Sequence, residues 1–221
     1  MILVLDLDDT LYPEATFVDS GFSAVADYLS PIVGMPAATL HERMRELLAE
    51  HGRGRVFDLL LAGLDVPALD ADALVPTCVE VYRTHEPAIA LSPEVRDLLE
   101  ELSSSVPLYL VTDGDPDVQA RKIEALRLAP YFRECLRTWA FGREAGKPAL
   151  TCFDMIRERE GAAWSDLVYV GDDPSKDFVG LRRVGARTVR VLTGRCRDVV
   201  ADEQHEADVT IPDITRLGSV L

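Results

Sequence analysis

Three carboxylates follow directly on an apolar run at the start of the chain. Residues 2–5 have the pattern of a buried strand, and Asp6, Asp8 and Asp9 come next. Ligands of a parallel α/β sheet bind outside the carboxyl ends of the strands, where clustered negative charge calls for a cation. Mg²⁺ is a hard ion that takes one or two carboxylates and often bridges to a substrate phosphate. An isolated Asp-x-Asp would more simply form a turn, so the interpretation depends on later segments.

Three later segments carry residues that could complete a phosphate-handling site. The apolar run 107–111 ends in a hydroxyl and turn residues, and the run 167–170 ends in Gly-Asp-Asp. Between them, a lone lysine stands before a helical pattern. Each segment alone has an ordinary explanation, such as a turn, a surface charge or a helix start. The side chains that these segments contribute are Thr112, Lys147, Asp172, Asp173 and Asp177.

In this order the segments resemble the four motifs of the haloacid dehalogenase superfamily, whose members are mostly Mg²⁺-dependent phosphohydrolases. The resemblance covers nearly the whole chain. The matching residues are Asp6-Leu7-Asp8-Asp9-Thr10 for the first motif, Thr112 for the second, Lys147 for the third, and Gly171-Asp172-Asp173 with Asp177 for the fourth. Many relatives have Thr-Asn-Gly at the second motif, where this chain has Thr112-Asp113-Gly114, so the role of Asp113 is left open.

The resemblance implies a catalytic role for four residues. Asp6 would be the nucleophile and would form an aspartyl-phosphate that water then hydrolyses. Asp8 would be the general acid for the leaving oxygen and afterwards the general base for water. Thr112 would donate its hydroxyl to a phosphoryl oxygen, and Lys147 would supply compensating positive charge.

The resemblance also implies a metal site. Mg²⁺ would be held by the carboxylates of Asp6 and Asp172 and by the backbone carbonyl of Asp8. Asp177 and Asp173 would support the site by orienting Lys147 or a metal-bound water. The expected cofactor is therefore Mg²⁺, with oxygen ligands only.

Other reactions of the superfamily, and one other class of protein, share parts of this pattern. Dehalogenases lack the second aspartate, because displacing halide from carbon needs no proton at a leaving oxygen, so Asp8 favours a phosphatase. A phosphomutase remains an alternative. A receiver-like phosphate-binding module also uses an acidic pocket with Mg²⁺, a Thr and a Lys. Against that module stand the nucleophile's position on the first strand and a helical insertion of about eighty residues.

The composition limits the partners. The 221 residues include 23 Lys and Arg against 38 Asp and Glu, a formal net charge of −15, which argues against nucleic acid and anionic membranes. The first apolar run is too short for a signal peptide or a membrane span, so we expect a cytoplasmic protein. Four scattered cysteines and four histidines give neither a disulfide framework nor a zinc site. The expected partner is a small phosphorylated metabolite, and the oligomeric state is not predicted.

Hydrophobic periodicity predicts two domains. Residues 14–90 read as successive amphipathic helices, the first of them ending at Ser30-Pro31. Residues 1–13 and 91–221 alternate strands and helices, including helices over 148–160 and 175–184, which indicates a doubly wound parallel sheet. The predicted fold is a Rossmann-like α/β core with a small all-helical cap. In the superfamily such a cap closes over the active site and contributes selectivity for the leaving group.

The residues that select the substrate are the hardest to identify from the sequence. Tyr12 and Glu14 follow the nucleophile closely enough to line the cleft. Arg53 and Arg55 stand between glycines in an otherwise acidic protein and could meet an anionic or hydroxyl-rich leaving group, or could be solvated beyond a helix capped by Gly52. The opening sequence resembles phosphatases of sugar phosphates, such as acylneuraminate 9-phosphatases, or of pyrimidine nucleotides, and the residues do not choose between these.

Overall fold

A computed structural model describes residues 1–64 and 71–221. These residues form two compact units. The first comprises Met1–Glu14 and Ala90–Leu221, and the second comprises Ala15–Ile89. The sequence placed the corresponding boundaries at residues 13/14 and 90/91.

In chain order the strands are β1 (Ile2–Leu5), β2 (Leu108–Thr112), β3 (Glu134–Arg137), β4 (Leu167–Gly171), β5 (Arg187–Val191) and β6 (Val209–Ile211). The helices are α1 (Glu14–Val33), α2 (Ala37–His51), α3 (Val56–Ala62), α4 (Ala71–Thr84), α5 (Pro93–Ser105), α6 (Pro116–Ala125), α7 (Thr151–Glu160) and α8 (Val179–Arg183).

The six strands form one parallel sheet in the order β3-β2-β1-β4-β5-β6. Strands β1, β2 and β4 are buried along their whole length. Continuous apolar strands of this kind occur where helices cover both faces of a parallel sheet. The predicted α/β fold with a doubly wound parallel sheet is therefore confirmed, and the central position of β1 places Asp6 at the middle of the sheet's carboxyl edge.

The second unit, within the described residues, is built from helices only. Its apolar core includes Val18, Phe22, Val25, Leu29, Leu40, Met44, Leu60 and Cys78. α1 and α4 approach closely at Gly21, since a Cβ added there would lie 2.5 Å from the ring of Tyr82. This unit thus has a hydrophobic core of its own, which is the minimum that an independent domain requires.

Several boundaries differ from the prediction. The expected end of the first helix at Ser30-Pro31 is wrong, because α1 continues to Val33 and ends before Gly34, whose φ is 69°. Val33 is buried one turn after Leu29, so extending the apolar face outweighs the hydrogen bond that Pro31 cannot donate.

Two core segments also differ. The helix predicted over 175–184 begins only at Val179, because the preceding residues form turns that bring the Asp177 carboxylate onto the backbone N–H of Asp173. The helix predicted from residue 148 begins at Thr151. Strand β3 was not predicted, since its four residues carry no continuous apolar run.

In the parts of the chain that the structure describes, no helix has both the length and the apolar character needed to cross a bilayer.

Candidate active site

Three adjacent strands bring the predicted motif residues to one edge of the sheet. Asp6 follows β1, Thr112 ends β2 and Asp172 follows β4, and β1 lies between the other two. The backbone N–H of Asp6 donates to the carbonyl of Val170 at 2.9 Å, which continues the sheet register one residue beyond β1. The nucleophile predicted from the sequence is thus held by the backbone of the strand next to it.

Asp6 is buried and paired with a lysine. Its side chain lies 2.9 Å from Nζ of Lys147, and the residue is 3% exposed. Burial raises the pKa of Asp6 to about 6, against the opposing charge of Lys147. A carboxylate can therefore be kept at this position near neutral pH only with positive charge beside it.

Lys147 is fixed by three oxygen partners. Its Nζ lies 2.9 Å from Asp6, 2.8 Å from Asp177 and 2.8 Å from the hydroxyl of Tyr169. Burial alone would lower the pKa of Lys147, but the charges of Asp177 and Asp6 raise it well above its ordinary value. The lysine is consequently charged throughout the physiological range, and its Nζ lies beside Asp6, the predicted nucleophile.

Asp177 is the support predicted for Lys147. One of its oxygens contacts Lys147 and accepts a hydrogen bond from Tyr169, and the other accepts from the backbone N–H of Asp173 at 2.8 Å. A Cβ at Gly171 would lie 2.5 Å from the second oxygen, so only glycine leaves room for this carboxylate. The space that the Asp177 carboxylate needs therefore explains why the fourth motif has glycine at position 171.

The carboxylates present a donor set that suits a hard divalent cation. Oxygens of Asp6, Asp172 and Asp177 all lie within 4.8 Å of one another. Burial and the charges of Asp6 and Asp177 raise the pKa of Asp172 to about 8. Both oxygens of Asp177 are already engaged, one by Lys147 and Tyr169 and the other by the backbone N–H of Asp173, so Asp6 and Asp172 are the two carboxylates better placed to hold Mg²⁺. The backbone carbonyl of Asp8 as a third ligand stays a prediction.

Asp8 lies in a different environment from Asp6. Nζ of Lys122 contacts both of its oxygens, at 2.8 and 2.9 Å, and Nε2 of Gln119 and the hydroxyl of Tyr12 donate to one oxygen each. Burial alone would raise the pKa of Asp8, but the charge and hydrogen bonds of Lys122 hold it below its ordinary value. Gln119 also donates to the hydroxyl oxygen of Thr112. The predicted acid/base and the predicted phosphate ligand therefore share a neighbour.

The sequence reasoning missed Gln119 and Lys122. Both are buried on α6, and with the buried Leu126 just after the helix they have the spacing i, i+3, i+7 of one helix face. A glutamine and a lysine on an apolar helix face are unusual, since lysine is almost never buried without a partner. These two polar residues on the apolar face of the helix were the feature of the sequence that could have indicated a functional role.

The structure gives Asp113 a defined position. Its Oδ1 accepts hydrogen bonds from the hydroxyl of Thr138 at 2.7 Å and from the backbone N–H of Lys147 at 3.1 Å. Its Oδ2 lies 3.4 Å from Nζ of Lys176. Burial opposes ionisation of Asp113, but the charges of Lys147 and Lys176 lower its pKa. Asp113 thus anchors the segment that carries Lys147, and its extra charge is matched by Lys176.

The carboxylate of Asp173 contacts Ser175 and Arg195 rather than Lys147. Its backbone N–H, however, helps to hold Asp177. Asp9, at a φ of 56°, accepts from the backbone N–H groups of Glu14 and Arg195. These contacts stabilise the loops on either side of the carboxylates.

Four residues were predicted to contact substrate. Tyr12 is buried and its hydroxyl is 2.6 Å from Asp8, and Glu14 lies 3.7 Å from Nζ of Lys122. Both therefore belong to the surroundings of Asp8. Arg53 and Arg55 are exposed in the turn between α2 and α3, where Gly52 ends α2 with its N–H bonded to Leu48.

Comparison with known proteins establishes the family. Residues 1–185 match the family model described as haloacid dehalogenase-like hydrolase. That span is well over half of the 221 residues and contains all four motifs. The chain belongs to this family, as the motif resemblance predicted.

Curated relatives and solved structures align along nearly the whole chain. A glyceraldehyde 3-phosphate phosphatase of Methanocaldococcus jannaschii is 28% identical, over 99% of this chain and 96% of the relative. A phosphoserine phosphatase of Thermus thermophilus is 30% identical, over 96% of each chain. The solved structure of a 2-haloacid dehalogenase from Pseudomonas syringae is 28% identical, with a TM-score of 0.65 over 99% of this chain and 97% of that one. The two curated relatives are phosphoric monoester hydrolases, the enzyme class that the sequence predicted.

The raised pKa of Asp172 predicts a stabilising substitution. The folded protein binds the Asp172 proton more tightly than the unfolded chain, whose value is near 3.8. This contribution to stability is full below about pH 4 and is lost as the pH rises through about 8. In metal-free protein at pH 8, Asp172→Asn should therefore raise the free energy of unfolding by about 1 kcal/mol or more.

Urea denaturation of metal-free protein at pH 5 and pH 8 measures this effect, with the gain expected to be larger at pH 8. Asp97→Asn, at an exposed position on α5, is the matched control and should change little at either pH. A loss of stability in Asp172→Asn at pH 8 would contradict the electrostatic account.

Proposed function

We propose that this protein is a Mg²⁺-dependent phosphatase that hydrolyses a small phosphomonoester through an aspartyl-phosphate on Asp6. The observation that carries the proposal is the buried Asp6 carboxylate held against Lys147, with Asp172 beside it and Thr112 on the adjacent strand. Bound Mg²⁺ would supply charge neutralisation for the phosphoryl oxygens. The other parts of the reaction fall to the protein's own side chains.

In the first half-reaction, a carboxylate oxygen of Asp6 attacks phosphorus while the bond to the leaving oxygen breaks. Asp8 gives that oxygen a proton, so the product leaves as an alcohol. Lys147 and the hydroxyl of Thr112 stabilise the charge on the transferring group. In the second half-reaction, Asp8 takes a proton from water as the water oxygen bonds to phosphorus and the bond to Asp6 breaks.

Asp8 favours a phosphatase over a dehalogenase. Its carboxylate is held by Lys122, Gln119 and Tyr12 at the end of β1, two residues after the nucleophile. Halide displacement needs no proton donor, so a built environment for a second carboxylate would have no purpose there. A phosphomutase would use the same groups, and inorganic phosphate as a product distinguishes hydrolysis from it.

A receiver-like module is less well supported. A receiver accepts phosphate at most stoichiometrically, and it needs no helical unit with its own apolar core such as residues 15–89. Multiple turnovers on a generic aryl phosphate would separate the two classes.

The substrate class that we propose is a small phosphorylated metabolite. The named relatives act on glyceraldehyde 3-phosphate and phosphoserine, both with three-carbon skeletons. A panel of three-carbon phosphates, sugar phosphates and nucleoside monophosphates, assayed for phosphate release, would identify the preferred group.

Replacing the nucleophile tests the covalent step. Asp6→Asn should reduce turnover by roughly a thousandfold or more, because an amide cannot form the acyl phosphate. Steady-state phosphate release is the measurement, and a denaturation curve checks that the variant is folded. Turnover close to that of the parent protein would remove Asp6 from its role.

Metal dependence tests the proposed cofactor. Chelation should abolish activity, and added Mg²⁺ should restore it. Asp172→Ala should raise the Mg²⁺ concentration needed for half-maximal activity, because one of the few protein ligands is lost. Ca²⁺ should support activity poorly, since its looser and higher coordination misplaces the nucleophile. Full activity in the presence of a chelator would overturn the metal assignment.

Arg53 and Arg55 are proposed to contact the leaving group. Arg53→Ala or Arg55→Ala should lower kcat/KM for the preferred substrate by roughly tenfold, or about 1.4 kcal/mol. A small aryl phosphate should be hydrolysed at the parent rate, because it lacks the groups that the arginines would meet. Arg45→Ala on α2 is the control for loss of an exposed arginine. Equal losses on both substrates would indicate a structural role instead.

A further inference from the structure

Four contacts surround the carboxylate of Asp8. Nζ of Lys122 lies 2.8 Å from Oδ1 and 2.9 Å from Oδ2. Tyr12 donates to Oδ1 at 2.6 Å, and Gln119 donates to Oδ2 at 2.9 Å. A carboxylate offers about four lone-pair positions, so these donors leave no position vacant. Its plane and direction are therefore fixed by the protein.

Two of these donors come from one rigid element. Gln119 and Lys122 lie three residues apart on α6, which places them on the same face of the helix. The helix start is fixed by Asp115, which accepts from the backbone N–H groups of Asp117 and Val118. α6 also follows directly on β2, the strand that delivers Thr112. The backbone positions of Gln119 and Lys122 are thus fixed by a capped helix.

The burial of Lys122 calls for an explanation. The residue is 3% exposed, and its acidic neighbours include Asp8 and, at 3.7 Å, Glu14. An apolar side chain would fill an inner position of α6 without the desolvation cost of an ammonium group, as Leu126 does farther along. Lys147 already neutralises Asp6, so Lys122 is not needed there. The group that the buried charge serves is Asp8.

We propose that Lys122 is a positioning residue for Asp8, and that Gln119 is the partner which gives up its place on the Asp8 carboxylate when substrate binds. This inference rests on the proposed function, in which Asp8 transfers the proton. Lys122 keeps the carboxylate aimed at the scissile oxygen through both half-reactions.

Gln119 is the exchangeable partner because its contact is neutral. Releasing the Lys122 ammonium would break a buried ion pair with Asp8, whereas releasing an amide N–H exchanges one ordinary hydrogen bond for another. Gln119 also donates to Thr112, the predicted ligand of a phosphoryl oxygen. Its amide thus donates to both groups between which the phosphate ester would bind.

Proton balance follows from this exchange. With the Oδ2 position open, the Asp8 carboxylate takes up a proton from solvent as substrate binds. The carboxyl then gives this proton to the ester oxygen as the P–O bond breaks, and the freed alcohol leaves. The resulting carboxylate takes a proton from the attacking water as the Asp6–phosphorus bond breaks. Lys122 keeps its own protons throughout, and its role is geometric.

The test compares leaving groups. kcat/KM reports only the steps up to phosphorylation of Asp6 and alcohol release. An alkyl phosphate needs a proton at its leaving oxygen, whereas 2,4-dinitrophenyl phosphate does not. In Lys122→Met, kcat/KM for the alkyl phosphate should fall about 100-fold, the lower range of general acid catalysis, while the value for the dinitrophenyl ester should fall less than about threefold.

Matched variants complete the design. Lys122→Arg keeps the charge and should recover part of the alkyl phosphate activity, and Arg121→Met, at the exposed neighbouring position on α6, should behave as the parent protein. Gln119→Ala should retain kcat/KM for the alkyl phosphate within about fivefold. A loss as large as that of Lys122→Met would overturn the assignment of the exchangeable position to Gln119.

Asp8→Asn separates failure of this inference from failure of the proposed function. If Asp8→Asn shows no leaving-group dependence, Asp8 is not the proton donor and the proposed function is wrong in that step. If Asp8→Asn shows the dependence and Lys122→Met does not, the positioning role is overturned while the function stands. Equal losses of Lys122→Met on both esters, with a lowered melting temperature, would mean that Lys122 is structural only.

Discussion

The contact of Lys147 with Asp6 and Asp177 is the interaction on which the arrangement of the site depends. Three acidic side chains, Asp6, Asp172 and Asp177, bring oxygens within 4.8 Å of one another at the carboxyl edge of the sheet. Like charges this close destabilise the folded state unless cations lie among them. Lys147, with 1% of its side chain exposed, contacts two of these three carboxylates, Asp6 and Asp177. Its position in turn depends on Tyr169, on the backbone anchor at Asp113 and on the absence of a side chain at Gly171.

The two aspartates of the first motif have opposite electrostatic environments. Burial raises the pKa of Asp6 to about 6, whereas Lys122 and its hydrogen bonds hold the pKa of Asp8 below its ordinary value against the effect of burial. These directions are the reverse of what the proposed roles need, because a general acid requires a raised pKa and a nucleophile a lowered one. In the proposed reaction Asp8 must therefore take up a proton as substrate binds, and a cation beside Asp6 must favour its ionised form. The two pKa values differ because the two carboxylates have different neighbours. Helix α6, after β2, contributes Lys122 to Asp8, whereas the segment before α7 contributes Lys147 to Asp6.

The sequence predicted the parts of the site that lie on strand ends, because an apolar run fixes where a strand stops. Asp6, Thr112 and Asp172 follow from three such runs, and their adjacency follows from the rule that parallel strands share one carboxyl edge. It did not predict Gln119 and Lys122, which depend on how α6 is rotated about its axis. It also placed the start of α8 too early, because the turn at residues 172–178 is set by the hydrogen bond between Asp173 and Asp177 rather than by periodicity. Strand β3 was missed for the related reason that an edge strand needs little apolar sequence.

Net charge and local charge lead to different conclusions about what this protein binds. The formal charge of −15 disfavours polyanions, yet the carboxyl edge collects buried or partly buried cations, namely Lys122, Lys147 and Lys176. Each of these lysines is within 4 Å of an aspartate, so none adds free positive charge to the site while those carboxylates are ionised. A dianionic phosphate would then be bound mainly through a metal and through hydrogen-bond donors such as Thr112, rather than by excess protein charge. This places the discrimination between substrates in the contacts made to the leaving group, because the phosphoryl end is the same in every phosphomonoester.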